Sequence, residues 1–230
     1  LKIVSFGDSF IYGSELEDNT DGSRAWPGLI ANQLGCEYQT LANPGCGNES
    51  IAMQIMHYFS ANTTQDTLAV INWTWTQRWD FYVKDHETGI TLGPTCVPEK
   101  LAHLVDKIQG QRLVDFYNDY ANSSLLWNKF RTLQTVANVQ QYLNNKGISS
   151  IQTYTDQHMF DTQWHAPDYI KELQDIVRPA MSTWDGLTYL EWCDKQNFYK
   201  TDTLHPLEQA HEAAANFWIE TYRQKLNAKN

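Results

Sequence analysis

LKIVSFGDSFIYG, residues 1–13, is the stretch on which the reading of this chain turns. Lys2-Ile3-Val4-Ser5-Phe6 alternates and has the β-branched and aromatic content of a buried strand. Gly7 interrupts it, and Asp8 and Ser9 are turn and helix-capping residues. A strand, a tight turn and a helix start make an edge on which a side chain is held out rigidly. Capping alone also accounts for an Asp-Ser pair at such a place. The rest of the chain has to decide between a cap and a reactive hydroxyl.

Working outward, strand-like and helix-like segments alternate. A helix is expected over Trp26 to Leu34, with Pro27 in its first turn. A second strand is expected over Glu37 to Ala42, ending at Asn43-Pro44-Gly45, and a helix from about Glu49 to Ser60. Thr67 to Trp73 is a nearly continuous apolar run, the mark of a central strand covered on both faces. Arg78 to Pro98, with its Gly, Pro and aromatic residues, reads as an irregular loop inserted after the third strand, a candidate lid. Helices follow over about Glu99 to Tyr120 and Ser123 to Asn144, the second closed by Lys146-Gly147. A fourth strand is expected over Ile148 to Tyr154, a helix over Asp168 to Val177, a fifth strand near Leu187 to Leu190, and a last amphipathic helix from about Pro206. This alternation predicts one α/β domain over residues 1–230 with a mainly parallel, five-stranded sheet.

The totals narrow the function classes. The 230 residues carry a net charge of −10, which argues against nucleic acid or an anionic membrane surface as the main partner. No apolar run approaches the roughly 20 residues of a membrane span. The four cysteines (Cys36, Cys46, Cys96, Cys193) contain no CxxC pair, which suits free thiols in the cytoplasm or another reducing compartment. A chain that starts at Leu1 is also compatible with a removed leader and secretion. The histidines sit at no metal-ligand spacing, so neither a catalytic metal nor another cofactor is expected.

In open parallel sheets, sites form at the carboxyl ends of the strands. Gly7-Asp8-Ser9 follows the first strand, Asn43-Pro44-Gly45-Cys46-Gly47-Asn48 the second, and Asn72-Trp73-Thr74-Trp75 the third. Asp202-Thr203-Leu204-His205-Pro206 stands just before the last helix. These residues supply the parts of acyl transfer. A serine hydroxyl needs a base to take its proton, and His205 is suited to that task at neutral pH. Asp202, three residues earlier on a turn, is placed to bond the other ring nitrogen and stabilise the imidazolium. The N–H groups of Ser9 and Gly45, with an asparagine side chain, are candidate donors to the oxyanion.

Gly7-Asp8-Ser9-Phe10, the glycine-containing turn after the second strand and the terminal Asp-x-x-His-Pro together resemble the SGNH, or GDSL-type, hydrolase family, in order over nearly the whole chain. The resemblance implies a flavodoxin-like three-layer α/β/α sandwich and a metal-free Ser/His/Asp triad. It implies Ser9 as nucleophile, His205 as base, Asp202 as orienting acid and Gly45 as oxyanion glycine. Ala42 to Asn48 looks like that family's Pro-Gly-x-Ser-Asn motif with Gly47 in place of the serine. After the third strand the chain departs from the family's Gly-x-Asn-Asp: Asn72 is the asparagine present, with Thr74 or Asn48 as rival third donors. The expected activity is hydrolysis of a small-molecule or glycan O-acyl ester. An inactive glycan-binding module on the same fold is the second reading. A flavin or nucleotide binder is the third, disfavoured because the chain has no Walker loop and no GxGxxG.

Nine tryptophans are many for this length. Trp73, Trp75 and Trp79 share one side if the third strand continues, and read either as core or as a platform for a sugar ring or acyl chain. Asp8 and Arg78 are further candidate substrate contacts. Tyr12, Trp164 and His165 are candidates for the cleft rim, and Asp161 with His165 forms a second acid–histidine pair, read as solvated loop. The sequence carries no signal for oligomeric state.

Overall fold

The computed structural model describes residues 1–62, 66–81, 89–94, 96–102, 105–161 and 166–227, with side chains through 221. Four parallel strands, β1 (Lys2–Phe6), β2 (Glu37–Thr40), β3 (Thr67–Trp73) and β6 (Ser149–Tyr154), form one sheet in the order β2-β1-β3-β6. Two shorter strands, β4 (Trp79–Phe81) and β5 (Ile90–Leu92), pair antiparallel outside it.

Side-chain alternation divides the sheet into two faces. Val4, Phe6, Ala69, Ile71 and Trp73 face one core, packed with residues of α3 (Asn48–Ala61), α5 (Leu125–Asn145) and α6 (Asp168–Val177). Ile3 and Val70 face the other, packed with α2 (Trp26–Leu34), α7 (Tyr189–Lys195) and α8 (Glu208–Asn227). The result is an α/β/α sandwich. Between β5 and α5 in the chain come α4 (Lys107–Phe116) and a π-helical turn, Tyr117–Ala121, which pack with β5 in a third, smaller cluster. Among the described residues, no helix is long and apolar enough to cross a membrane.

Three expectations are corrected. The sheet has four strands, not five. Leu187 makes only an isolated bridge to Trp184, and the apolar residues after it form α7. Thr188 caps that helix, accepting from Glu191 N, while Glu191 reaches back to Thr188 N. The insertion after β3 is not wholly irregular, because it contains the β4–β5 hairpin. The single helix expected from Glu99 is a 3-10 turn, Pro98–Leu101, followed by α4 from Lys107.

Candidate active site at the carboxyl end of the sheet

β1 ends at a corner that only glycine fits. Gly7 has φ +151°, and a Cβ there would lie 2.6 Å from Ile11 Cγ2 and 2.9 Å from the Asn72 carbonyl. Asp8 follows as the N-cap of the short helix α1 (Ser9–Tyr12), its Oδ1 accepting from Phe10 N at 3.1 Å. Its other oxygen accepts from Thr74 Oγ1 at 2.6 Å and from Arg78 Nη1 at 2.8 Å. Arg78 Nη1 also donates to Thr74 Oγ1 and to the Cys46 carbonyl. Asp8 is completely buried. The corner therefore uses Asp8 as framework, which corrects the expectation that it touches substrate. Arg78 shares that framework and also lines a cleft.

Ser9 is the first residue of α1 and is nearly buried. Among the described residues neither its hydroxyl nor its N–H has a hydrogen-bond partner. Its carbonyl accepts from both Gly13 N and Ser14 N.

The second turn is clipped to the first. Asn43 N donates to the Gly7 carbonyl at 2.8 Å, and the Cys46 thiol donates to the same oxygen at 3.3 Å. Gly45 projects between them, exposed, with φ +84° and with no partner on its N–H among the described residues. Burial pushes the Cys46 thiol up from its ordinary value, so it is a poor nucleophile. Gly47 has a separate reason to be glycine: a Cβ there would lie 2.6 Å from Asp80 Oδ2. Asp80 accepts from Gly47 N at 3.0 Å and Ser50 N at 2.7 Å, capping α3 from the hairpin. A cleft of about 380 Å³ runs from Asn43 and Gly45 past Arg78 to Thr91 of β5.

The three candidate side-chain donors, Asn72 within β3, Thr74 just after it and Asn48 at the start of α3, are all engaged elsewhere. Asn72 stays in register with Thr153 of β6, donating from Nδ2 to Thr155 and accepting on Oδ1 from Thr153, both at 2.9 Å. That geometry removes its amide from the proposed oxyanion set. Asn48 accepts from Thr74 N and donates to the Thr74 carbonyl and to Thr132. Thr74 donates its hydroxyl proton to Asp8.

His205 lies on the turn before α8, largely buried, and its ring centroid is 5.1 Å from that of Phe10. This contact brings the α1 corner and the histidine turn together, although no hydrogen bond joins Ser9 and His205 among the described residues. His205 Nδ1 lies 3.2 Å from Glu15 Oε1 and 3.0 Å from Thr203 Oγ1. Thr203 donates to the same Glu15 oxygen at 2.6 Å. Asp202 is exposed and makes no hydrogen bond to His205 among the described residues. Glu15 escapes sequence reasoning because it belongs to no local motif. Only the folding of the α1–α2 loop against the last turn brings it there.

The aromatic expectations divide. Trp73 is fully buried, its Nε1 donating to Gln152 at 3.2 Å, so it is core and not platform. β3 ends at Trp73, and the alternation that would align it with Trp75 and Trp79 ends with it. Trp79 is half-buried, bonded to Asn128, stacked on Phe81 and covered by the Arg131 guanidinium. Trp75 is half-buried. Tyr12 donates its hydroxyl proton to the Thr20 carbonyl. Trp164 and His165 lie outside the described residues. No three His, Cys, Asp or Glu side chains gather as a metal site among the described residues.

No protein-family model matches the chain, and no curated protein sequence matches it. Solved structures do share its fold. A psychrotrophic esterase, EstA, from Pseudoalteromonas sp. superposes with a TM-score of 0.55 at 8% identity, over 98% of each chain. A member of the lipolytic G-D-S-L family from Veillonella parvula gives 0.53 at 12% identity, over 96% of this chain and 98% of that one. A family 2 carbohydrate esterase from Corynascus thermopiles (Myceliophthora fergusii) gives 0.52 at 13%, over 98% of this chain and 66% of that one, which carries an additional carbohydrate-binding domain. The fold is the one these GDSL-type and carbohydrate esterases share.

Proposed function

We propose that this chain is a serine esterase that hydrolyses an acetyl or other short-chain O-acyl ester, carried on a small molecule or a carbohydrate. One observation carries the reading. The Ser9 corner, the Gly45 turn and the His205 turn converge at the carboxyl end of the parallel sheet, joined by the bonds to Gly7 O and by the Phe10–His205 contact.

In this reading Ser9 Oγ attacks the ester carbonyl while His205 Nε2 takes its proton. The N–H groups of Ser9 and Gly45 receive the oxyanion, each such donor being worth about 3–4 kcal/mol in the transition state. The tetrahedral adduct collapses, the alcohol leaves with the proton held by His205, and Ser9 is acylated. Water, deprotonated by His205, then releases the acid and restores Ser9. A carboxylate on Nδ1 holds the imidazole in the required tautomer. The carbohydrate esterase among the structural neighbours supports a sugar ester, and Trp75 is the remaining candidate for a sugar platform.

The test is p-nitrophenyl acetate hydrolysis by folded wild type and Ser9→Ala. The reading expects wild-type turnover and a fall of about a thousandfold or more in the variant. Equal activity in both would place the chemistry elsewhere. The engagement of Asn48, Asn72 and Thr74 supports the second reading, a glycan-binding protein with an incomplete oxyanion hole. That reading expects calorimetric binding of acetylated oligosaccharides with no turnover.

A further inference from the structure

We infer that Glu15, and not Asp202, is the positioning carboxylate of His205, acting on Nδ1 both directly and through the Thr203 hydroxyl. The inference rests on the esterase reading for its consequence in catalysis, but the pairing itself can be tested without it.

The argument starts from what Nδ1 can reach. Of the two acidic residues near the imidazole, Glu15 has an oxygen at 3.2 Å. The Thr203 hydroxyl stands between the two groups, 3.0 Å from Nδ1 and 2.6 Å from the same Glu15 oxygen. A hydroxyl that donates to a carboxylate turns its lone pairs toward another donor, here Nδ1–H. This fixes the tautomer with the proton on Nδ1 and leaves Nε2 as acceptor, the form a general base needs. Thr201 completes the cluster: its Oγ1 is 2.9 Å from Thr203 Oγ1 and accepts from His205 N at 3.2 Å.

Both partners are held for this contact. Glu15 and Leu204 have φ of +71° and +69°, a left-handed conformation that non-glycine residues adopt at a cost. Each lies next to or within the cluster, so the two chain reversals present the carboxylate and the imidazole to one another. The loop carrying Glu15 is tied down on either side. Asn19 donates to the Tyr12 and Gly13 carbonyls, and Glu17 N donates to Glu208 Oε1 at the start of α8. Hydrogen bonds from Thr201 and Thr203 hold the Glu15 carboxyl below its ordinary value, so it stays ionised when the imidazole charges.

The other titratable groups around His205 do not supply this partner. Asp202 faces solvent from the histidine's own turn. On α8, His211 is buried and held neutral, with its pKa lowered to about 4 by desolvation. Glu208 is engaged with Glu17 N. From α1 the neighbour is the Phe10 ring.

The experiment compares Glu15→Gln with Asp202→Asn. Both substitutions keep the size of the side chain and one acceptor oxygen while removing the charge, at exposed positions where folding is expected to survive and is checked by the thermal midpoint. The first readout is the NMR titration of the His205 ring. An adjacent carboxylate favours the imidazolium, so removing it lowers the histidine pKa. Glu15→Gln is expected to lower it, and Asp202→Asn to lower it by clearly less. The second readout is the pH profile of kcat/KM on p-nitrophenyl acetate. Glu15→Gln is expected to lower the plateau by about two orders of magnitude and to move the acidic limb to lower pH, with the smaller change in Asp202→Asn. An Asp202→Asn effect equal to or larger than that of Glu15→Gln, in either readout, would overturn the inference. A protein that turns over no ester and takes no label on Ser9 overturns the esterase reading instead, and the titration still decides the pairing.

Discussion

Asp8 and Glu15 flank the first helix and live in opposite surroundings. Asp8 is completely buried, and a backbone N–H, a threonine hydroxyl and a guanidinium occupy its two oxygens. Glu15 sits on an exposed loop and reaches His205 and Thr203 from the outside. The first carboxylate builds the corner that carries Ser9. The second contacts the histidine and its neighbouring threonines. Changes at Asp8 are therefore expected to cost stability, and changes at Glu15 to cost activity.

The largest expected effect breaks the framework side. Asp8→Ala leaves the Arg78 guanidinium, 18% exposed, without its carboxylate and removes the cap from Phe10 N. Stripping one partner from such a pair costs about 3–5 kcal/mol, read as the change in urea unfolding. A loss below about 1 kcal/mol would erase the contrast with Glu15.

The next effect is one of pH. His211 Nδ1 accepts from Trp26 N at 3.1 Å, and the ring also bonds the backbone of Pro206, beside His205. Its folded pKa is lowered from 6.5 to about 4. The unfolded chain therefore binds the extra proton in that window, and stability is lost as pH falls from 6.5 towards 4. The full loss is on the order of 3 kcal/mol. His211→Gln, which keeps an acceptor for Trp26 N, is expected to flatten that part of the stability profile. An unchanged slope would assign the acid loss to other groups.

Two glycines on one turn sharpen the comparison further. Gly47→Ala drives a Cβ into Asp80 and disturbs the cap of α3, at a cost of about 1–2 kcal/mol. Gly45→Ala meets nothing within 4 Å and costs only the strain of its positive φ, about 1 kcal/mol. Thermal midpoints of the two variants should differ in that order. The reverse order would mean that Asp80 yields freely.

The same division explains what the sequence could show. β3 and α6 were legible to the residue, because a strand buried on both faces and a helix ended by Pro179 leave strong local signals. The Leu187 to Leu190 run misled, since four apolar-rich residues fit strand or helix. The Thr188–Glu191 capping box was the local signal that distinguishes them. At the site, Ser9, Gly45 and His205 stand out because each sits at a strand end or helix start. The engagement of Asn72 with Thr153 and Thr155, the burial of Trp73, and the approach of Glu15 to His205 are tertiary facts. They depend on which face a strand residue takes and on which loops meet across the sheet, and no local spacing encodes them.

The most direct test of the central claim is covalent labelling of the folded protein with a fluorophosphonate, followed by peptide mapping. The account predicts a single adduct on Ser9, lost when the protein is unfolded and lost in His205→Ala. A folded wild-type protein that takes no label, or takes it on another serine, would contradict it.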